Sequence, residues 1–466
     1  MQTAASFEIF WDPHPDHFPL SCMSTELTNA PIPVDDATEA GNYFVANYPP
    51  FSFWQPEQIP AISQVLDQPA PKDVPVGVYF HIPFCRKRCH FCYFRVYTDK
   101  GPDEIRRYVR AGMKEFELYA KRNYLQGRKP QFVYFGGGTP SYLSVPQLEE
   151  LTQHLKGGMS WDEVEEVTFE AEPGTLTEKK LDAIRAMGVT RLSLGIENFD
   201  DHILEINGRA HRSMEVYRSY GYARNIGFPQ INIDLIAGMI EETEDNWKRC
   251  VEKALELQPD CLTIYQMEVP FNTGIYKTMQ AEGKLVAPVA SWPTKRRWVD
   301  YAFTQFEAAG YEVSSAYTIV KKKETTKFVY RDGLFGGADL LPLGVASFGH
   351  LGGIHIQNNA DIAAYCDAIE RGEHAVFRAY ATDPEERLIR EFILQLKLGS
   401  ASPLHYQKKH GVNVLEKFAP QLAALEKAGF ASISPEAITI HRAGLLQIDR
   451  LLQEFFLPHH RHARYT

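Results

Sequence analysis

One phrase recurs down the middle of this chain and limits what it can fold into. In LDAIRAMGVTRLSLGIE (181–197), YARNIGFPQINIDLIAG (222–238) and CVEKALELQPDCLTIYQME (250–268), a helical stretch stops at Gly or Pro and turns directly into an apolar run. Each is the second half of a βα unit, and a series of them builds a parallel sheet. Upstream, VGVYFHI and QFVYFGGG have the same strand character. Between them, segment 103–123 carries Ile105, Tyr108, Val109, Met113, Phe116 and Tyr119 at three- and four-residue spacing, one face of a helix. The pattern predicts strands at 77–82, 131–135, 166–171, 190–196, 230–236 and 261–267. The fold class is therefore α/β. Six strands are too few for a closed eight-stranded barrel but enough for a partial, curved (βα)6 barrel.

Sites in such sheets sit at the C-terminal ends of the strands. There the sequence places His81, a cysteine-rich loop, Gly136–Gly137–Gly138–Thr139, Glu170, Glu172, Glu197, Asp234, Gln266 and Glu268. Residues 1–75 are proline-rich and read as an irregular arm held by Tyr43, Phe44, Tyr48, Phe51, Phe53 and Trp54, with a partly disordered tail open for 1–40. The barrel with its extension spans 76–375, and Lys321–Lys323 within it read as a solvated loop. From 376 to 466 the segments PEERLIREFILQLKLG and EKFAPQLAALEKAGF are helical, ASISPEAITIH forms a hairpin, and RAGLLQIDRLLQEFFLP is a final helix. This is a small, winged-helix-like domain placed to act as a lid.

A formal net charge of −10 argues against nucleic-acid binding by bulk charge. No run of eighteen apolar residues spans a membrane, and the N-terminus lacks a signal-peptide pattern, so a cytoplasmic chain is expected. Seven cysteines, an odd number, fit free thiols better than a disulfide framework. Three of them, Cys85, Cys89 and Cys92, fall within eight residues, spaced C-x3-C-x2-C directly after a strand. Soft thiolates suit zinc or an iron–sulfur cluster. Structural zinc wants four protein ligands; no second CxxC exists, and His90 lies inside the loop, where closing a tetrahedron would strain it. A [4Fe–4S] cube takes one ligand per iron, so three cysteines leave one iron open to a small molecule. The cluster is the stronger reading.

With Phe91 before the third cysteine, the loop resembles that of the radical S-adenosylmethionine (SAM) superfamily. The resemblance implies that SAM chelates the open iron and is cleaved reductively to a 5′-deoxyadenosyl radical. GGGTP at 136–140 lets backbone approach the methionine portion, and Glu170 is placed for a ribose hydroxyl or the amine. The likeness narrows further. YFHIPFC, FGGGTPSYL, RLSLGIENF, INIDLIAG and DLLPLGVASFG, in this order, resemble oxygen-independent coproporphyrinogen III oxidase and its relatives, several of which bind two SAM molecules. Carried over by motif, Cys85, Cys89 and Cys92 would hold the cluster. Tyr79, Gly137, Glu170 and Phe348 would hold the cluster-bound SAM, and Phe91, Gly138, Thr139, Glu197, Arg209 and Asp234 the second. The family also implies a small-molecule substrate, an electron donor such as flavodoxin or ferredoxin, no nucleic acid and a monomer.

Three departures bear on the reaction. The oxidase has a fourth cysteine two residues past the third, where this chain has Tyr93–Phe94; it has glutamine where this chain has Glu197; and the HNxxYW stretch of the haem chaperone relative is missing near TKFVYRDGLFGG. Three branches stay open: decarboxylation or other modification of a tetrapyrrole-type substrate, methyl transfer or cyclopropanation at an sp² carbon using a second SAM, and haem trafficking.

Overall fold

The computed structural model describes residues 37–461 apart from Asn42 and Leu285. The expectation for the tail therefore lies mostly outside the described residues, as does Cys22. Six parallel strands form in the expected places: β1 (Val76–Ile82), β2 (Phe132–Gly137), β3 (Glu166–Ala171), β4 (Arg191–Glu197), β5 (Gln230–Ala237) and β6 (Cys261–Gln266). Helices α1 (Pro102–Ala120), α2 (Val145–Gly158), α3 (Glu178–Ala186), α4 (Ser213–Asn225) and α5 (Glu244–Leu257) fill the crossovers between them. The strands are buried almost throughout, as parallel strands covered on both faces must be. In α1 the six apolar positions read from the sequence all face the core. Gly112 of that helix lies against the Phe80 ring, where a Cβ would come within 2.4 Å. Burying a phenylalanine this completely contributes about 1.5–3 kcal/mol.

The sheet is larger than six strands. After β7 (Glu312–Val313) and β8 (Thr318–Val320), it continues through β9 (Asp339–Leu343), β10 (Phe348–Leu351), β11 (Ile354–Asn358) and β12 (Val376–Ala381). Its order is β12-β11-β10-β9-β1-β2-β3-β4-β5-β6-β8-β7. β9 lies parallel to β1, a seventh parallel strand, and is pinned there by Asp339, which accepts from Arg128 at 2.7 Å and Tyr124 at 2.9 Å. The stretch DLLPLGVASFG is thus β9, a turn and the start of β10. The arm is strapped to the far edge by Gln55 pairing with Ala379, and Tyr48 and Trp54 are buried.

Beyond β12 the chain is helical, beginning with α6 (Pro384–Leu396), around a small three-stranded antiparallel sheet that contains the expected hairpin, Ala431–Ile433 with Ile438–Ile440. The single final helix is a correction. It is broken into Arg442–Leu445 and Ile448–Leu452, because Gln447 sits at φ −136° and Gly444 is wedged against the Phe430 carbonyl, where a Cβ would come within 2.7 Å. Among the described residues no helix is long and apolar enough to cross a membrane.

Candidate active site

The cysteine loop leaves β1 and is clamped at both ends. At its base, Cys85 N–H donates to the Tyr97 carbonyl at 3.1 Å and Tyr97 N–H to that of Pro83 at 2.7 Å. At its tip, His90 N–H donates to Asn207 O and the His90 ring Nδ1 lies 3.0 Å from the Ile206 carbonyl. His90 is thereby occupied away from the thiols. Two polar side chains reach the sulfurs: Thr139 Oγ1 donates to Cys85 Sγ at 3.2 Å and Arg209 Nη1 to Cys89 Sγ at 3.4 Å. Burial pushes the Cys85 thiol up to about 11 and that of Cys92 to about 12, so a bound cation is what would hold them as thiolates.

Beside the loop, β2 ends in the triple glycine. Gly137 has φ +113°, and a Cβ there would strike the His81 imidazole at 2.5 Å. Gly138 lies so close to the loop that a Cβ would meet the Pro83 carbonyl carbon at 2.9 Å and Cys85 Sγ at 3.1 Å. Glu170, at the end of β3, accepts from Tyr134 Oη at 2.6 Å and from Gly137 N–H at 3.0 Å. Its pKa is raised to about 7, chiefly by burial. Tyr79 Oη lies 3.1 Å from His81 Nδ1, while His81 Nε2 is buried without a hydrogen-bond partner. Burial lowers the His81 pKa to about 4, so the ring is neutral, and its Cε1 and Nδ1 lie against Gly137. Phe348 opens β10 and packs on the arm through Phe51, at 4.5 Å between ring centroids, and Trp54 at 5.7 Å.

On the β4–β5 side, Glu197 is a non-glycine residue at φ +67°, on a register shift between β4 and β5. Backbone held in this region costs of order 1–3 kcal/mol and recurs at functional sites. Glu197 Oε1 stands 3.6 Å from Arg209 Nη1, whose other nitrogen donates to the Gly195 carbonyl. Burial raises the Glu197 carboxyl to about 7; Arg209 opposes this, and Asp234 and Glu170 add to it. Asp234 accepts from Asn232 at 2.8 Å and Ser193 at 3.2 Å, and burial raises its pKa too. Three carboxyl groups thus act on one another across the barrel interior, which suits a cationic ligand. Phe91 packs against Ile203, Ile236, Met239 and Met267. Outside this group, Glu172 binds Arg86 at 3.1 Å and His211 at 3.2 Å and supports the loop.

The structure therefore brings Cys85, Cys89, Thr139, Gly137, Gly138, Glu170, Glu197, Arg209 and Asp234 into one linked group. Phe348 belongs to the arm-packing side, and Glu268 is turned to the arm, where it accepts Tyr43 N–H at 3.1 Å. Sequence reading passed over the buried Arg191, Ser193, Asn232 and Thr263, and Tyr134 with them. Arg191 lies 3.9 Å over the Phe328 ring, and Thr263 donates to Asn232 at 3.0 Å. The signal was available: in RLSLGIE and INID every second residue is polar or small, the period of a strand with one face turned to a polar interior.

The barrel and its three-cysteine loop define a radical SAM protein, and the sequence family described as the radical SAM superfamily matches residues 79–254. Within it the chain is similar to the oxygen-independent coproporphyrinogen III oxidases and their relatives. It is 28% identical over 403 residues to the oxygen-independent coproporphyrinogen III oxidase of Helicobacter pylori, covering 82% of this chain and 86% of the relative. It is 28% identical over 376 residues to the heme chaperone HemW of Bacillus subtilis, covering 79% and 96%. The coproporphyrinogen III oxidase structure from Escherichia coli superposes with a TM-score of 0.76 at 22% identity, over 90% of this chain and 99% of that one. The cofactors of this chain are accordingly a [4Fe–4S] cluster and SAM.

Proposed function

We propose that this chain is a radical SAM enzyme that methylates an sp² carbon of a tetrapyrrole-type substrate, using one SAM as radical source and a second as methyl donor. When bound, the cluster and SAM supply the reducing electron and the 5′-deoxyadenosyl radical that abstracts hydrogen. Cys85, Cys89 and Cys92 would ligate the cluster; Tyr79, Gly137, Glu170 and Phe348 would bind the first SAM, and Phe91, Gly138, Thr139, Glu197, Arg209 and Asp234 the second. The observation that carries the methyl-donor reading is Glu197. It is held in a strained conformation near Asp234 and Glu170, three carboxyl groups that share the cations Arg209 and Arg191, a surplus that a second sulfonium cation would balance. A glutamine at that position would supply no such charge.

The tetrapyrrole class rests on the relatives, named as coproporphyrinogen oxidases and a heme chaperone. Substrate chemistry of this kind needs a water-poor pocket. Residues 376–466 are the candidate lid: Gln266, at the end of β6, donates to the Leu446 carbonyl at 2.9 Å, and Lys397 joins Val45 O and Asp449 at 2.8 and 2.7 Å. Electrons would come from a flavodoxin or ferredoxin in a cytoplasmic setting. Oxidative decarboxylation is the second reading, favoured by likeness to the oxidases over 82% of the chain. The test is the product mixture from dithionite, SAM and a propionate-bearing porphyrin or porphyrinogen. S-adenosylhomocysteine formed in step with 5′-deoxyadenosine supports methyl transfer. Carbon dioxide and a vinyl group without it mean decarboxylation, and tightly held haem with neither product means trafficking.

A further inference from the structure

A second group of ligating side chains lies away from the barrel site, where the C-terminal segment meets the start of α6. Among the described residues, Glu386, His459 and His460 form the one set of three whose ligand atoms all fall within 4.8 Å of one another. Glu386 divides its two oxygens. Oε2 closes the capping box of α6 by accepting Asp383 N–H at 2.9 Å, while Oε1 accepts Tyr380 Oη at 2.5 Å and faces His460 Nε2 at 3.7 Å. His460 is 1% exposed, and its Nε2 is buried with no hydrogen-bond partner.

As a protein–protein contact this makes little sense. A separation of 3.7 Å is too long for a hydrogen bond. The gap between the unpartnered Nε2 and Glu386 Oε1 is one that a bound cation would fill. The other face of the ring is prepared for this. Nδ1 lies 2.7 Å from Tyr48 Oη, a hydroxyl that also accepts Leu457 N–H at 3.1 Å. An Nδ1–H donated to Tyr48 leaves Nε2 as the free ligand nitrogen, the arrangement in which protein histidines bind metals. Two ligands on a tetrahedral ion sit ~3.4 Å apart, so Glu386 and His460 need move only a few tenths of an ångström. His459, exposed and with its ring centroid 4.0 Å from that of His460, supplies the third ligand on the solvent side. Asp383, Glu385 and Glu386 at the start of α6 offset the positive end of the helix.

We propose that Glu386, His459 and His460 bind one borderline divalent cation of the zinc type, with the remaining position open to water, and so staple the C-terminal segment to α6. Tyr48 is its positioning residue and brings the arm into the same joint. The probe is Zn²⁺, titrated calorimetrically into full-length protein already loaded with its cluster. One equivalent is expected to bind, with a rise in thermal midpoint. His459→Ala, at an exposed position, and Glu386→Gln should each weaken binding by about 100-fold or more, and Tyr48→Phe by about tenfold. SAM cleavage retained in His459→Ala shows that this variant is folded and loaded. No stoichiometric Zn²⁺ on the wild-type protein, or unchanged affinity in His459→Ala, overturns the proposal.

Discussion

Glu197→Gln puts the amide of the oxidases in place of a buried carboxyl and tests the second-SAM reading directly. In the protein without ligand, burial moves this carboxyl from its ordinary value of 4.5 to about 7, so the site opposes its charge by about 3 kcal/mol. A sulfonium within ~5 Å at an effective dielectric near 20 contributes about 3 kcal/mol in return, which is enough to bring the proton off when SAM binds. Binding at the second site should therefore release a proton and tighten as pH rises through about 7. The amide loses the attraction and, below about pH 7, also the cost of ionisation. The net loss is about 3 kcal/mol at about pH 8, roughly 200-fold in affinity, shrinking to about 2 kcal/mol, roughly 20-fold, at about pH 6 where the wild-type group starts protonated. Equilibrium dialysis of labelled SAM into cluster-loaded protein at both pH values reads this. Two sites are expected on the wild-type protein, only the weaker one should respond, and its pH dependence should be shallower in the variant. An unchanged second affinity at about pH 8, or an unchanged pH dependence, refutes the reasoning.

Replacing Cys85, Cys89 or Cys92 with alanine should abolish the iron–sulfur absorption after anaerobic reconstitution, while alanine at the buried Cys250, Cys261 or Cys366 should preserve it. Gly138→Ala drives a Cβ into the Pro83 and Ile82 backbone at 2.9 and 3.0 Å, and should weaken SAM binding about tenfold or more while some cluster absorption survives. Glu115 is fully buried, accepts from Asn358, Gly344 and Tyr365, and has its pKa raised to about 7 by burial. A raised carboxyl holds its proton more tightly folded than unfolded, so the stability it adds is present below its unfolded value and is lost as pH rises through about 7. Glu115→Gln opposes an amide to those donors and should be destabilised, but its penalty, read from urea midpoints, should shrink by up to about 3 kcal/mol between about pH 5 and 8. A penalty that grows with pH contradicts the assignment.

The parallel strands and the cysteine loop were legible because their signals are local. Helix, glycine and apolar strand follow one another within twenty residues, and three thiols lie within eight. β9 gave no comparable signal. DLLPL is five residues long, holds a proline, and takes its place beside β1 through Asp339 and Arg128, 211 positions apart. The final helix was misread because its apolar period survives the break: Leu445, Ile448, Leu451 and Leu452 are all buried on either side of Gln447. The rim glutamates were visible as charges at strand ends, but what they contact was not. That Glu197 faces Arg209 while Glu268 serves the arm depends on a backbone conformation at φ +67° and on which way the chain leaves β6. Glu386 and His460, 74 positions apart, share no pattern in the sequence.

The central claim, that a second SAM donates its methyl group, is tested most directly with SAM deuterated in that methyl and a tetrapyrrole substrate under reducing conditions. Mass spectrometry of the tetrapyrrole product should show the label incorporated, with one S-adenosylhomocysteine formed for each methyl transferred. A product that has lost carbon dioxide and carries no label, with SAM consumed only to 5′-deoxyadenosine and methionine, contradicts the account.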